Sequence, residues 1–380
     1  MITWRHLRDG DWLLFATVCA LIFMGLAFIW SATSVLTPDG VVNSGDVLRH
    51  QLVWAVVSLI AFIAALWLDY DAMRDVAYLV YGVGLGVLVF VLMFGRPIRG
   101  AQRWVEIGGY QFQPSEFMKI AVVLALARYL MYRNNYRTLT GLVAPFLIVL
   151  VPMGLIIKQP DLGTASVLLP ALFAMLYAAG ARPKHLLATV AAGFACLPVL
   201  WFTVMSQFQK ERIIAFISPS ADAMRTGYHT IESIIAIGSG GWTGAGFAQG
   251  PQNLVNAVPA AHTDFIFAVI AEEWGFAGGL MVLFLFLILF TRAAEIAGKT
   301  REPFGRLVVI GCTTMLAFQV AVNIGMTMRL CPITGVTLPF VSYGGSSLLS
   351  SAIIAALILN VGMRRKQVVA PDDFEREDLR

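Results

Sequence analysis

The stretch W-L-L-F-A-T-V-C-A-L-I-F-M-G-L-A-F-I-W-S-A-T-S-V-L-T-P runs from Trp12 to Pro38 without one charged side chain. A helix crosses the ~30 Å hydrocarbon layer of a bilayer with about 20 apolar residues, so this run is long enough to span. A secretory signal has a shorter apolar centre and a small-residue cleavage site, so the run reads as a retained first span, Trp12–Ser34. Nine more runs of comparable length follow: Leu52–Leu68, Val76–Phe94, Pro114–Leu130, Leu139–Ile157, Leu162–Gly180, Leu186–Ser206, Asp264–Phe290, Leu307–Met328 and Gly345–Met363. In lipid only a helix satisfies its own backbone one segment at a time. The expected fold is therefore all-α: a polytopic integral membrane protein of about ten spans, with an outer loop over 207–263 and a tail over 364–380.

Composition agrees. Of 380 residues, 58% are hydrophobic and only 13% charged, against roughly 25% charged in a soluble domain. A net charge of +4, scattered along the chain, gives no basis for nucleic-acid binding. Most of the lysines and arginines fall in alternate connections if the N-terminus lies in the cytoplasm, which predicts both ends inside. Two outer segments break that trend: Gly95 to Gln113, with Arg96, Arg99 and Arg103, and Gln207 to Thr263, with Lys210, Arg212 and Arg225. The second also holds the glycine-rich run G-S-G-G-W-T-G-A-G-F-A-Q-G, Gly238 to Gly250. The segment Cys331 to Gly344 is apolar but broken by Pro332, Pro339 and Gly344, and irregular backbone at that depth must be buried in protein or line a wet cavity. It is expected to be re-entrant or interfacial, capping the last span. The four cysteines form no C-x-x-C pair and are read as small buried hydrophobes.

Ionisable side chains inside spans are costly and mark candidate sites. In Q-P-S-E-F-M-K, Glu116 and Lys119 share a helical face three residues apart, as a structural ion pair or as ligand contacts. In G-A-Q-R-W, Gln102 and Arg103 suit an anion, since guanidinium forks onto phosphate; the alternative is an arginine reaching for headgroups. In K-Q-P-D-L-G, Lys158 and Asp161 flank a tight outer turn and have a local ion pair as the simpler reading. In A-H-T-D-F-I-F-A-V-I-A-E-E-W-G, Asp264 opens the eighth span, either as a helix N-cap or as a lone carboxylate facing the outer aqueous boundary. Glu272 lies about 12 Å further along a helix, too far for a shared-proton dyad. The sequence holds no G-x-x-x-x-G-K-[ST], no H-E-x-x-H and no clustered histidines, which excludes nucleotide-driven pumping and argues against zinc-protease chemistry.

Taken together and in order, G-A-Q-R-W, Q-P-S-E-F-M-K, Q-P-D-L-G-T, G-Y-H with the glycine-rich run, H-T-D-F-I-F-A-V-I-A-E-E-W-G-F, N-I-G-M and P-I-T-G-V-T-L-P-F-V-S-Y-G-G-S-S resemble the shape, elongation, division and sporulation membrane proteins of bacteria, with Y-H-x-I-x-S-x-I-A-I-G-S-G-G closer to the rod-elongation branch than to the division branch. The resemblance implies ten spans in the cytoplasmic (inner) membrane. It also implies a peptidoglycan glycosyltransferase that polymerises lipid II on the outer leaflet, with a membrane-anchored class B penicillin-binding transpeptidase as partner. The family's essential aspartate maps onto Asp264. Relatives usually carry P-E-x-H-T-D before the eighth span, whereas here Ala260 occupies the glutamate's place.

Joining an α-linked lipid diphosphate sugar through a β-1,4 bond inverts the anomeric carbon. That step needs a base for the acceptor hydroxyl and an electrophile for the departing diphosphate. Asp264 is expected to be the base, with Arg103, Arg212 and Lys119 as candidates for the diphosphate. A divalent cation, Mg or Mn, could share that role, although no ligand cluster demands one. The rival readings are a lipid II flippase, a scaffold for the transpeptidase, and a ligase for another polyprenyl-linked glycan.

Overall fold

The computed structural model describes residues 10–37, 40–42, 45–95, 103–107, 109–132, 138–203, 205, 207–217, 226–255 and 260–364. In chain order these form α1 (Trp12–Ala32), β1 (Val35–Thr37), β2 (Gly40–Val42), α2 (Asp46–Trp67), α3 (Tyr70–Phe94), β3 (Val105–Ile107), β4 (Tyr110–Phe112) and α4 (Pro114–Met131). A 3-10 turn, Thr140–Leu142, leads into α5 (Val143–Lys158), α6 (Leu162–Ala179) and α7 (Pro183–Thr203). There follow α8 (Gln207–Ile217), α9 (Thr226–Ser239), α10 (Pro251–Leu254), α11 (Ile266–Lys299), α12 (Pro303–Thr327) and α13 (Gly345–Arg364). The strands make two small antiparallel hairpins, β1–β2 and β3–β4.

Each of the ten expected runs falls on a helix. Eight of these helices are long and apolar enough to cross a membrane; the other two are α4, which carries Glu116, Lys119 and Arg128, and α7. Several helices outrun the apolar stretch that announced them: α2 begins at Asp46 and α11 continues to Lys299. Backbone hydrogen bonding does not stop where hydrocarbon stops, so polar turns extend a spanning helix into the interface. The stretch 207–263, expected as an outer loop, contains α8, α9 and α10.

Local sequence starts the helices at defined points. Asp11 caps α1 by accepting from Leu14 N at 3.1 Å, and Asp161 caps α6 by accepting from Thr164 N at 3.2 Å. Proline opens α4 and α12, where a missing N–H costs nothing. Packing sorts the helices into a core and a rim. α13 is the most enclosed, flanked by α2, α12 and α4; α12 runs beside α6 and α11; α3 and α7 turn most of their surface outward. Two of the four cysteines depart from expectation: Cys312 is buried, but Cys19 and Cys196 are exposed on helix surfaces. A spanning helix meets apolar surroundings on both its protein and lipid faces, so an apolar run does not locate the protein core.

α1 and α11 are tied at both ends. Arg292 Nη2 meets Asp11 Oδ2 at 2.8 Å at one end, and Ser31 Oγ donates to Glu273 Oε1 at the other. From Glu273 to Arg292 is roughly 28 Å along a helix, close to the ~30 Å hydrocarbon thickness. The segment 331–344 is irregular backbone, with Val336, Leu338, Phe340 and Val341 buried. It packs against α1 at Gly25, where a Cβ would lie 2.6 Å from Val341 O. Gly25 lies well inside α1, so the segment reaches into the helical bundle, as a re-entrant element does.

Candidate active site

Asp264 is not part of a helix. α11 begins at Ile266, its N-cap is Phe265, and no side chain caps it, so the N-cap reading of Asp264 does not hold. The residue is part-exposed. Its chain segment, 260–265, is a series of turns, with Ala260 at φ +55°. The re-entrant segment holds it: Tyr343 N donates to His262 O at 2.9 Å, and Ser342 Oγ donates to Thr263 O at 2.6 Å. From α12, Asn323 Nδ2 donates to Asp264 O at 3.0 Å and to Val336 O at 2.7 Å.

The same segment brings Arg212 of α8 to this place. Arg212 Nη1 donates to Ile333 O at 3.4 Å. Gly335, at φ +74°, lies between the two charges: a Cβ there would sit 3.5 Å from Arg212 Nη1 and 3.6 Å from Asp264 Oδ2. Burial pulls the Arg212 pKa below its ordinary value, Asp264 opposes that shift, Arg103 adds to it and Asp161 opposes it. Four charges therefore feel one another, and a guanidinium with so high a starting pKa stays cationic throughout.

Arg103 enters from the turn before the β3–β4 hairpin. Its Nη1 lies 3.4 Å from Asp161 Oδ1, and its guanidinium carbon stacks 5.7 Å above the Trp104 ring. Its Nε is buried with no acceptor among the described residues. Asp161 is fully engaged. It accepts from Gln113 Nε2 at 2.7 Å, Ser115 Oγ at 3.3 Å, Thr164 N at 3.2 Å and Thr164 Oγ1 at 2.9 Å. At 3% exposure it anchors Arg103 rather than facing a ligand. The local pair expected between Lys158 and Asp161 gives way to this one: Lys158 is exposed and makes no ion pair among the described residues. The cause is the start of α6, which turns Asp161 inward as its N-cap.

Glu116 and Lys119 stand apart from the rim. Lys119 Nζ meets Glu116 Oε2 at 2.9 Å, Ser350 Oγ donates to that same oxygen at 2.7 Å, and both charged residues are buried. Gln102, Arg96, Arg99 and Arg225 lie outside the described residues. Among the described residues no three metal-ligating side chains converge. Asp161 has its oxygens occupied by protein donors.

The sequence reading missed Gln113, Ser115, Asn323 and Ser342. Asn323 had a signal: a lone amide in an apolar helix must find partners. Gln113 and Ser115 stood in Q-P-S-E, where the charged pair drew attention away from them. Ser342 gave no signal, because its partner is a backbone carbonyl distant in sequence.

A sequence profile of the FtsW/RodA/SpoVE family, described as cell cycle proteins, matches residues 11–367. Among curated relatives, the peptidoglycan glycosyltransferase RodA of Treponema pallidum is 33% identical, covering 95% of this chain and 99% of that protein. The probable peptidoglycan glycosyltransferase FtsW of Trichlorobacter lovleyi is 36% identical over 94% of each. Among solved structures, a chain from work on the structural coordination of polymerization and crosslinking by a peptidoglycan synthase complex superposes with a TM-score of 0.81. It is 32% identical and is covered to 99%, with 94% of this chain matched.

Proposed function

Because the chain belongs to the FtsW/RodA/SpoVE family of cell cycle proteins and is, with those relatives, a peptidoglycan glycosyltransferase of the bacterial cytoplasmic membrane, we propose that Asp264 is the general base of its polymerising step. The Asp264 carboxylate takes the proton from the 4-hydroxyl of the acceptor lipid II. The freed oxygen attacks the anomeric carbon of the donor from the face opposite the diphosphate, which leaves with the bonding electrons, so an α-linkage becomes β. Arg103 and Arg212 hold that diphosphate and neutralise its growing charge. Asp161, Gln113, Ser115 and Thr164 keep Arg103 in place. Glu116 and Lys119 brace α4 against α13 from below the site. Among the described residues no three metal-ligating side chains converge, and we route no step through a divalent cation.

The observation that carries this reading is the convergence of the Asp264 carboxylate and the Arg212 guanidinium on Gly335. A flippase would need a polar path through both leaflets. Glu272 and Glu273 are fully buried and bound by protein donors, so they open no such path. The likeness to RodA favours work in cell elongation. The likeness to a synthase complex favours a membrane-anchored class B penicillin-binding transpeptidase as partner.

The test is polymerisation of labelled lipid II by the purified chain with its transpeptidase, with and without EDTA. Asp264→Asn is expected to cut the rate by about 10²–10⁴-fold, the usual worth of a general base, while leaving folding and partner capture intact. Near-normal glycan strands from that variant would defeat the assignment. A loss of activity in EDTA, restored by Mg²⁺, would show that a cation shares the arginines' task.

A further inference from the structure

Three successive carbonyls lead into α11, and each is held by a donor from another part of the chain. His262 O accepts from Tyr343 N, Thr263 O from Ser342 Oγ, and Asp264 O from Asn323 Nδ2. This segment is neither helix nor strand, so no regular ladder supplies its partners. Two of the three donors are side chains, and both do double duty. Asn323 also donates to Val336 O at 2.7 Å, and Ser342 Oγ also accepts from Leu338 N at 2.9 Å. Both residues are buried, Asn323 completely.

The double duty has a geometric consequence. The amide of Asn323 joins the backbone of Asp264 to that of Val336, next in sequence to Gly335. Gly335 is the point on which the Asp264 carboxylate and the Arg212 guanidinium converge. One side chain thus fixes where the base stands and how far it stands from the arginine. Ser342 closes the other end of the same stretch, bending 338–342 into a turn that meets Thr263. Since both amide hydrogens of Asn323 go to carbonyls, the orientation of its side chain is settled: the oxygen faces away and is buried without a donor among the described residues. An amide with an unsatisfied oxygen inside an apolar helix is costly. Apolar packing would hold α12 in place without that cost, so the amide is retained for what its two hydrogens do.

We propose that Asn323 and Ser342 are positioning residues for the base, a clamp that presents the Asp264 carboxylate to the acceptor hydroxyl at a set distance from Arg212. The proposal rests on Asp264 being that base. Misplacing a reacting group by about 1 Å can cost on the order of 10²-fold in rate without weakening substrate binding. The effect therefore falls on kcat and spares KM.

The experiment uses the full-length chain with its transpeptidase and measures kcat and KM for lipid II in four variants. Asn323→Leu keeps size and removes both donors; kcat is expected to fall about 10–100-fold, with KM within about twofold of the parent. Ser342→Ala is expected to lower kcat about tenfold, and Ser342→Thr, which keeps the hydroxyl, to recover most of it. Asp264→Asn runs beside them. If it still polymerises, the base assignment fails. If it is inactive while Asn323→Leu and Ser342→Ala keep full kcat, the clamp alone fails. A rise in KM at unchanged kcat, or Ser342→Thr no better than Ser342→Ala, also overturns the clamp. Should Asn323→Leu not survive purification, the serine pair decides the matter, since only one buried hydroxyl separates its members.

Discussion

Asp264 and the pair Glu272–Glu273 belong to one stretch of chain, and the fold treats them in opposite ways. At Asp264 the backbone is tied down and the residue stays part-exposed, its carboxylate beside a guanidinium and a glycine. At Glu272 and Glu273 it is the carboxylates that are tied. Glu272 accepts from Gln252 N at 2.7 Å and Asn253 N at 3.3 Å, in the first turn of α10. Glu273 accepts from Ala248 N at 3.0 Å, from Asn253 Nδ2 at 3.4 Å and from Ser31 Oγ. Neither makes an ion pair among the described residues. Here α11 breaks at Gly275, φ +64°, and the glycine-rich run fills the break. Gly241 O accepts from Phe276 N, Glu272 O from Ala245 N and Glu273 O from Gly246 N. Gly244 shows why glycine is needed, since a Cβ there would lie 2.1 Å from Glu273 O. A carboxylate saturated by buried protein donors is structural however deep it lies, whereas the part-exposed Asp264 carboxylate stands beside a guanidinium.

The largest contrast comes from changing the sealed acids. Glu272→Ala or Glu273→Ala strands several buried donors, at a cost of about 1–3 kcal/mol each. The thermal midpoint of the purified chain is expected to drop in both. Glu272→Gln and Glu273→Gln keep one acceptor oxygen each and are expected to polymerise within several-fold of the parent, where Asp264→Asn does not. If Glu273→Gln proved as inactive as Asp264→Asn, the line between the two regions would vanish.

How much of this the sequence carried depends on the range of the interaction concerned. Apolar length located the spans because it is a local property set by bilayer thickness. The candidate site, too, was partly legible: Arg103 and Arg212 in segments against the charge bias, the aspartate at a run boundary and the proline-broken apolar segment are brought together by the fold. The partner of Asp161 was not, because pairing Arg103 with it requires β3–β4 and the start of α6 to meet. Glu272 and Glu273 announced themselves as costly, but whether they were sealed or working turned on backbone N–H groups that follow 248, which no residue pattern reports. The proposal of Asp264 as base came from family resemblance; the residues alone left N-cap and base both open, and the structure removes only the N-cap.

A smaller effect is expected at the point where the two working charges meet. Gly335→Ala places a non-glycine residue at φ +74°, costing about 1–2 kcal/mol, and puts a methyl group between Arg212 and Asp264 at ordinary contact distance. Nothing there clashes, so the protein folds. The methyl occupies space that the diphosphate or acceptor needs, and polymerisation is expected to fall about tenfold through that lost space, since strain shared by ground and transition states leaves the rate unchanged. Gly109, also at positive φ but with nothing within 4 Å of an added Cβ, serves as the control, because Gly109→Ala meets the same strain away from the charges. Equal losses in the two variants would mean that strain alone, and no shared space, explains the result.

The smallest effect is expected at Lys158, the basic residue nearest in sequence to Asp161. It looks like a partner on paper, yet it is exposed at the end of α5 while Asp161 turns inward to Arg103. An exposed lysine with no ion pair contributes little to stability, within about 0.5 kcal/mol. Lys158→Ala is therefore expected to leave both the melting midpoint and kcat for lipid II within about twofold of the parent. Arg103→Lys, which keeps the charge but loses the planar fork, should instead lower the rate, because a point charge cannot hold Asp161 and a phosphate oxygen together. If Lys158→Ala weakened KM for lipid II as much as Arg103→Lys, the substrate would be reaching past the rim to α5, and the division between working and idle charges would have to be redrawn one helix further out.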